Sequence, residues 1–82
     1  MINFDELTKA IVVGDSDASL ELTKKAMDAG ISATEILGRR LLPGMEIIGE
    51  QFETQEIFFP ELLMAAKAMK AAVALLGPEL SK

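Results

Sequence analysis

The sequence predicts an all-α fold, an antiparallel four-helix bundle, on three observations. Apolar residues recur at intervals of three and four positions along four segments, as on one face of an α-helix. Capping and turn residues separate these segments, and the short connections favour antiparallel neighbours. Half of the residues are apolar but only 5% are aromatic, so helix formers such as Ala, Leu, Met and Glu dominate the composition.

The first two predicted helices cover residues 4–13 and 18–29. Asn3 has the side chain of an N-cap for the first helix. Gly14 and Gly30 follow the two helices at the position where glycine commonly ends a helix. The predicted buried face of the second helix consists of Ala18, Leu22, Ala26 and Ala29.

The third helix is predicted to begin at Ser32, which forms a capping box with Glu35. Its apolar face continues through Leu37, Leu41, Met45, Ile48 and Phe52. Pro43 removes a backbone donor and is expected to kink or split this helix. The helix also contains three glycines, each of which costs roughly 1 kcal/mol relative to Ala. Either a neighbour approaches the backbone closely, or two shorter helices meet near Pro43.

The fourth helix is predicted to begin around Pro60, run to about Leu76, and stop at Gly77-Pro78. Many of its residues are alanines, which make the helix slim, so a neighbouring helix can pack close to it. The predicted buried face consists of Leu62, Ala66, Met69, Val73 and Leu76.

The composition excludes several kinds of site. The chain has neither cysteine nor histidine, which excludes disulfides, thiolate metal sites and histidine acid–base chemistry. Its net charge of −5 argues against a nucleic-acid partner. No apolar run is long enough to span a membrane, and the expected compartment is the cytoplasm.

No catalytic constellation and no metal site is predicted. Serine and threonine hydroxyls have no histidine to activate them. Glu46, Glu50, Glu53 and Glu56 recur along one side of the third helix, a spacing typical of a solvated face. A di-metal bundle would need Glu-x-x-His pairs, which this chain cannot form.

The unusual feature is a cluster of three phenylalanines, Phe52, Phe58 and Phe59, around the connection between the third and fourth helices. Aromatic residues at such a corner can close the end of a small bundle as part of its core. They can also present a rigid apolar surface to a flat ligand or a partner protein. The spacing of the residues leaves both interpretations open.

Three runs of sequence carry a resemblance to a known family: LLPGMEIIGEQF at 41–52, IFFPELL at 57–63 and AAKAMK at 65–70. They resemble the N-terminal helical cap of cobalamin-binding modules, as in methionine synthase and methyltransferase corrinoid proteins. Gly14-Asp15 and Ala29-Gly30-Ile31 also fit the pattern, so the resemblance covers essentially the whole chain.

The resemblance implies a cap that shields the upper, methyl face of the corrinoid during methyl transfer. Such a chain is a methyl-carrier component of a methyltransferase system and not itself an enzyme. By resemblance, Phe52 matches the phenylalanine that contacts the methyl group, and Phe59 and Leu62 match neighbouring apolar contacts. Met45 and Gly49 match motif positions close to the same corner.

The family's cap is followed by an α/β cobalamin-binding domain whose histidine ligates cobalt, and that domain is absent from this chain. Residues 1–82 are therefore expected to be the cap of a longer protein, with cobalamin held mainly by the missing domain and not tightly by this chain alone. The implied partners are that C-terminal domain and methyltransferase subunits, and an isolated cap is a possible homodimer through the phenylalanine corner.

Two rival interpretations differ from this one. A free-standing helical protein-interaction module would use the phenylalanines as a docking patch. Light-sensing cobalamin-based transcription regulators carry similar caps, but with a Trp and a Glu-His pair, and this chain has neither Trp nor His.

Overall fold

The computed structural model describes residues 5–80, and within them the chain forms four helices and no strand. The predicted all-α, four-helix fold is confirmed. The predicted N-cap Asn3 and the first predicted helical residue, Phe4, lie outside the described residues. The helices are α1 (Asp5–Val13), α2 (Ser16–Asp28), α3, which joins Ala33–Ile36, a π-helical segment Leu37–Leu41 and Leu42–Glu53, and α4 (Phe59–Leu80).

The turn between α1 and α2 follows the predicted capping chemistry. The Gly14 N–H donates to the Ile11 carbonyl at 3.0 Å, and the Asp15 N–H donates to the Ala10 carbonyl at 2.9 Å. Gly14 has a φ of +76°, which glycine adopts without a steric penalty. The Asp15 carboxylate then accepts from the Ala18 N–H at 3.0 Å and caps α2.

The expectation at Pro43 was a kink or a split, and the split does not occur, because helical structure continues through Pro43 without a break. Ser32 caps it as predicted, with its hydroxyl accepting from the Glu35 N–H at 3.2 Å. Just before the proline the helix widens into a π segment, in which the Leu42 N–H reaches back to the Leu37 carbonyl. The Thr8 hydroxyl on α1 donates to the Arg40 carbonyl at 2.7 Å and so satisfies a carbonyl of this widened turn.

The expected close approach to the α3 backbone occurs at Gly44. A Cβ built on Gly44 would lie 2.9 Å from the Ile11 Cβ and 3.1 Å from the Thr8 carbonyl oxygen. Gly44 is therefore required by the crossing of α1 and α3. Gly38 and Gly49 have no atom of the described chain within 4 Å of such a Cβ, so packing within this chain does not require them.

The pairing of α2 with α4 is the most extensive in the bundle, and it is built from small side chains. In the two predicted faces Ala26 and Leu76 are buried as expected, but most of the other buried positions differ from the prediction by about one residue. The buried residues are Ser19, Thr23 and Ala26 on α2, and Ala65, Ala68, Ala72 and Leu76 on α4. Small residues occupy the centre because the backbones approach closely there, while larger neighbours such as Leu22, Met69 and Val73 pack at the margins.

The predicted stop of the fourth helix at Gly77-Pro78 is wrong, because α4 continues through both residues to Leu80. A proline disfavours the α conformation of the preceding residue partly through that residue's Cβ, which Gly77 lacks. Leu76 is fully buried and Leu80 packs against the core, so tertiary contacts hold the last turn in place. None of the helices within residues 5–80 is both long and apolar enough to cross a membrane.

We expect Gly44→Ala to destabilise the bundle by about 1 to 3 kcal/mol, because the added methyl group overlaps Ile11 and the α1 backbone. Urea unfolding followed by far-UV circular dichroism measures this free energy. Gly38→Ala is the matched control, expected to be neutral or stabilising by up to about 1 kcal/mol. Equal effects of the two substitutions would contradict the packing described at Gly44.

Candidate functional site

Phe52, Phe58 and Phe59 form the Phe corner, at the connection from α3 to α4. All three are exposed, with 39%, 73% and 58% of their surfaces accessible. The rings of Phe52 and Phe59 are in tilted contact, with centroids 6.4 Å apart and an interplanar angle of 55°. The interpretation of these aromatics as a buried plug of the bundle is therefore wrong.

The end of α3 is fixed by a tight hydrogen-bonded turn. The Gln55 N–H donates to the Phe52 carbonyl at 3.1 Å, and the Glu56 N–H donates to the Gln51 carbonyl at 2.8 Å. The Thr54 hydroxyl contacts both the Gln51 carbonyl, at 3.2 Å, and the Glu56 carboxylate, at 2.8 Å. These contacts hold Phe52 at the outer end of the helix.

The start of α4 is fixed by its own acidic residue. The Glu61 carboxylate accepts from the Phe58 N–H at 3.3 Å, which is one half of a capping box. Phe58 itself occupies the N-cap position, where Ser, Thr, Asp or Asn would normally supply a side-chain acceptor. The helix therefore begins with an aromatic ring displayed to solvent in place of a capping side chain.

An open pocket of about 520 Å³ lies at the Phe corner. Its walls are formed by Phe52, Glu53, Gln55, Ile57, Phe58 and Phe59. Exposed Leu63 and Met64 on α4 extend the apolar surface beyond the corner. A surface with an aromatic centre and a few polar groups at its edge is typical of a site for a largely apolar ligand.

The structure places the five residues assigned by sequence in different situations. Phe52 and Phe59 are brought into contact, and Leu62 is half-buried on α4, three residues after Phe59. Met45 is half-buried and packs against the hydrophobic core. Gly49 is half-buried, and the space above it is open within the described chain.

Four residues of the pocket wall were not among those assigned by sequence: Glu53, Gln55, Ile57 and Phe58. Phe58 is the most exposed of the three phenylalanines, and its place in the aromatic cluster was the available signal. Gln55 lies in the left-handed region with a φ of 63°, and nothing in the local sequence marked this conformation. Its position in the pocket wall depends on the turn that ends α3, and only the structure shows this turn.

The charged residues of the sequence stretch that contains the corner are all acidic. Residues 41–66 contain five glutamates and neither lysine nor arginine, so this stretch accounts for the whole net charge of −5. The ion pairs Lys25–Glu21 and Arg39–Glu35 lie outside this stretch. No group of three or more acidic side chains within residues 5–80 is arranged to hold a metal ion. The site therefore favours a neutral or cationic ligand over an anionic one.

Residues 4–76 match the family described as "B12 binding domain". The chain belongs to this family. The B12-binding domain match includes α1, α2, α3 and most of α4, and thus the whole Phe corner.

The relatives of this B12-binding domain include corrinoid proteins from archaea and bacteria. Monomethylamine corrinoid protein 1 of Methanosarcina mazei is 51% identical over 79 residues, which cover 96% of this chain and 36% of that protein. A corrinoid protein of Desulfitobacterium hafniense is 38% identical over 78 residues, covering 95% of this chain and 36% of the relative. The chain thus spans about a third of the length of the curated relatives it matches.

A solved structure shows the same fold. The monomethylamine corrinoid protein of Methanosarcina barkeri superposes with a TM-score of 0.93 at 44% sequence identity. The match covers 96% of this chain and 37% of that protein.

We expect Phe52→Ala and Phe59→Ala to lower the free energy of unfolding by only about 1 kcal/mol each, because Phe52 is 39% and Phe59 58% exposed. The matched core variant is Ile48→Ala, one turn before Phe52 and only 2% exposed, which should cost about 2 to 5 kcal/mol. Urea titrations of the three variants by circular dichroism measure the difference. A loss at Phe52 or Phe59 as large as that at Ile48 would show that the corner belongs to the core.

Proposed function

We propose that this chain is the cap domain of a cobalamin-binding corrinoid protein, and that it shields the upper, methyl face of the corrinoid during methyl transfer. The observation that carries the proposal is the exposed pair Phe52 and Phe59 on a member of the B12-binding domain family. Within a small bundle, aromatic surface left in solvent is costly unless something covers it.

The residues present fit a flat macrocycle. Two tilted rings and the exposed Phe58 offer a broad, rigid apolar surface, which suits the face of a corrin better than a deep cavity would. Gly49 lies one turn before Phe52, and no described atom lies within 4 Å of a Cβ built there. A ring seated on the corner could therefore approach the α3 backbone closely at Gly49.

The glutamates near the corner are compatible with binding to the upper face of cobalamin and not to its lower face. Cobalamin carries its single phosphate in the nucleotide loop below the ring, whereas its upper face and edge carry neutral groups. The five glutamates of residues 41–66 would repel that phosphate and tolerate the neutral face.

When bound, the corrinoid supplies a cobalt atom that accepts and gives up a methyl group. Phe52 and Phe59 would exclude water from the cobalt's upper side, and their partial exposure in the free chain keeps the contact small and reversible. The chain has no histidine to offer the cobalt, and we propose that a following α/β cobalamin-binding domain would supply such a ligand and hold most of the cofactor.

The chain would thus act as part of a methyl carrier and not as an enzyme, with methyltransferase subunits making and breaking the bonds. The names of the Methanosarcina relatives at 51% and 44% identity support a monomethylamine system. The cytoplasm stays the expected compartment. The proposal does not include a homodimer through the Phe corner, which has no support from the relatives. A free-standing interaction module is not favoured, because the relatives described above are corrinoid proteins.

The proposal is tested by titrating ¹⁵N-labelled protein with methylcobalamin and following backbone amide shifts by NMR. We expect weak binding, with Kd on the order of 1 mM, because the chain lacks the lower ligand. The shifts should centre on Phe52, Phe58 and Phe59. The intact mass and visible spectrum of the protein made by its native cell provide a second readout. Absence of shifts at the corner, together with a colourless native protein, would refute the cap assignment.

We expect Gly49→Met to leave the bundle as stable as the original chain but to weaken methylcobalamin binding at least about tenfold, by filling the space above α3. Gly38→Met is the matched control, since its side chain also enters open space but lies on the π segment, away from the corner. It should leave binding unchanged. Equal binding by both variants would remove Gly49 from the site.

A further inference from the structure

Three helices in this chain end with the same hydrogen-bonded turn, and one of them departs from the usual residue. α1 and α2 end with Gly14 and Gly30, at φ of +76° and +87°. α3 ends with Gln55 in the equivalent place, at a φ of 63°. In each case the left-handed residue donates to a carbonyl three positions back, and the next residue donates to one five positions back. Glycine is the residue that this position favours, so Gln55 is retained at a cost in stability.

The side chain of Gln55 makes no hydrogen bond within the described residues that would offset this cost in stability. It is exposed, and its carboxamide makes no hydrogen bond within residues 5–80. Its backbone contacts, to the Phe52 carbonyl and to neighbouring residues of the turn, would be made equally well by glycine. A residue that breaks the local preference without a structural gain is a candidate for a functional role.

Gln55 lies at the edge of the aromatic pocket. The polar members of the pocket wall are Gln55 and Glu53, and the others are Phe52, Ile57, Phe58 and Phe59. The Glu53 carboxylate can only accept hydrogen bonds, whereas the Gln55 carboxamide both donates and accepts. The pocket therefore presents one group, the Gln55 carboxamide, that can both donate a hydrogen bond to a ligand carboxamide and accept one from it. The apolar wall beside it can contact a ring face.

Building on the proposed function, we propose that Gln55 binds a peripheral carboxamide of the corrinoid through an amide–amide hydrogen-bonded pair. The edge of a corrin ring carries acetamide and propionamide arms, while its face is apolar. Phe52 and Phe59 would contact the face, and Gln55 would reach the edge. Contacts to the ring face alone leave the rotation of the ring under the cap undetermined, and a directional pair at the edge fixes it.

The test uses the side-chain NH₂ signals of ¹⁵N-labelled protein during a methylcobalamin titration. The sequence has only three such groups, on Asn3, Gln51 and Gln55. We expect the Gln55 pair to shift in parallel with the Phe52 and Phe59 backbone amides, whereas the Gln51 pair, one turn back on α3, should stay in place.

Two substitutions separate the side chain from the backbone. Gln55→Glu keeps the size and the left-handed conformation but removes the donor, and Gln55→Gly removes the side chain and relieves the strain. Both should raise the Kd for methylcobalamin about three- to tenfold. Gln55→Gly should at the same time raise the Tm by about 2 to 6 °C, so that stability and binding change in opposite directions. Gln51→Ala is the control and should alter neither quantity much.

The outcomes are distinguishable. Shifts at Phe52 and Phe59 with an unchanged Kd in both Gln55 variants, and a stationary Gln55 NH₂ pair, would overturn the role of Gln55 while leaving the cap assignment intact. No shift at Phe52 or Phe59 in the original chain would instead overturn the cap assignment, and the role of Gln55 with it.

Discussion

The arrangement of this bundle depends on two contacts in which a glycine allows close packing between helices. Both contacts involve α1 or the turn that ends it. At one, α1 passes over Gly44 of α3 so closely that a Cβ there would lie 2.9 Å from Ile11. At the other, a Cβ on Gly14 would lie 2.7 Å from the Met64 Cβ on α4. These contacts hold α3 and α4 against the same short helix. Because the Phe corner is made where α3 ends and α4 begins, its geometry follows from them.

The distribution of apolar residues shows that the fold loses stability by leaving the aromatic rings of the Phe corner exposed. A chain of this size buries only about 60% of its unfolded surface, so large side chains are valuable inside. Yet the centre of the α2–α4 interface is alanine, serine and threonine, and the Thr23 hydroxyl is buried without a hydrogen-bond partner within the described residues. Meanwhile Phe58 and Phe59 are more than half exposed, and Phe52 is partly exposed. Such an allocation is poor for stability alone and reasonable for a surface that binds.

The sequence was sufficient for features that depend on local chemistry. Ser32, Gly14 and Gly30 were correctly assigned as helix boundaries, because caps and left-handed turns have direct residue signatures. Features that depend on distant neighbours were not predictable. Apart from Ala26 and Leu76, the buried residues of α2 and α4 differ by about one position from those that the apolar spacing favoured, since the close approach of two helices selects small residues over large ones.

The glycines of α3 show the same limit most clearly. Gly44 and Gly49 carry equal propensity costs in sequence, but the structure shows that only Gly44 is required by packing within the described chain. The aromatic cluster was likewise visible in the sequence, while its exposure was not, because periodicity alone does not tell which ring faces outward. The π segment before Pro43, with its Arg40 carbonyl satisfied by Thr8, depends on α1 and has no local signature.

The pattern of local violations identifies the site more strongly than exposure does. The ends of α1 and α2 and the starts of α2 and α3 use the expected residues, Gly14, Gly30, Asp15 and Ser32. At the Phe corner both rules are broken, with Gln55 in the place of glycine and Phe58 in the place of a capping side chain. Natural sequences tend to be locally consistent, so two departures within four residues require a common cause. A ligand that uses both an aromatic surface and an amide at its edge supplies that cause, whereas a partner recognised through apolar contact alone would account for Phe58 and leave Gln55 unexplained.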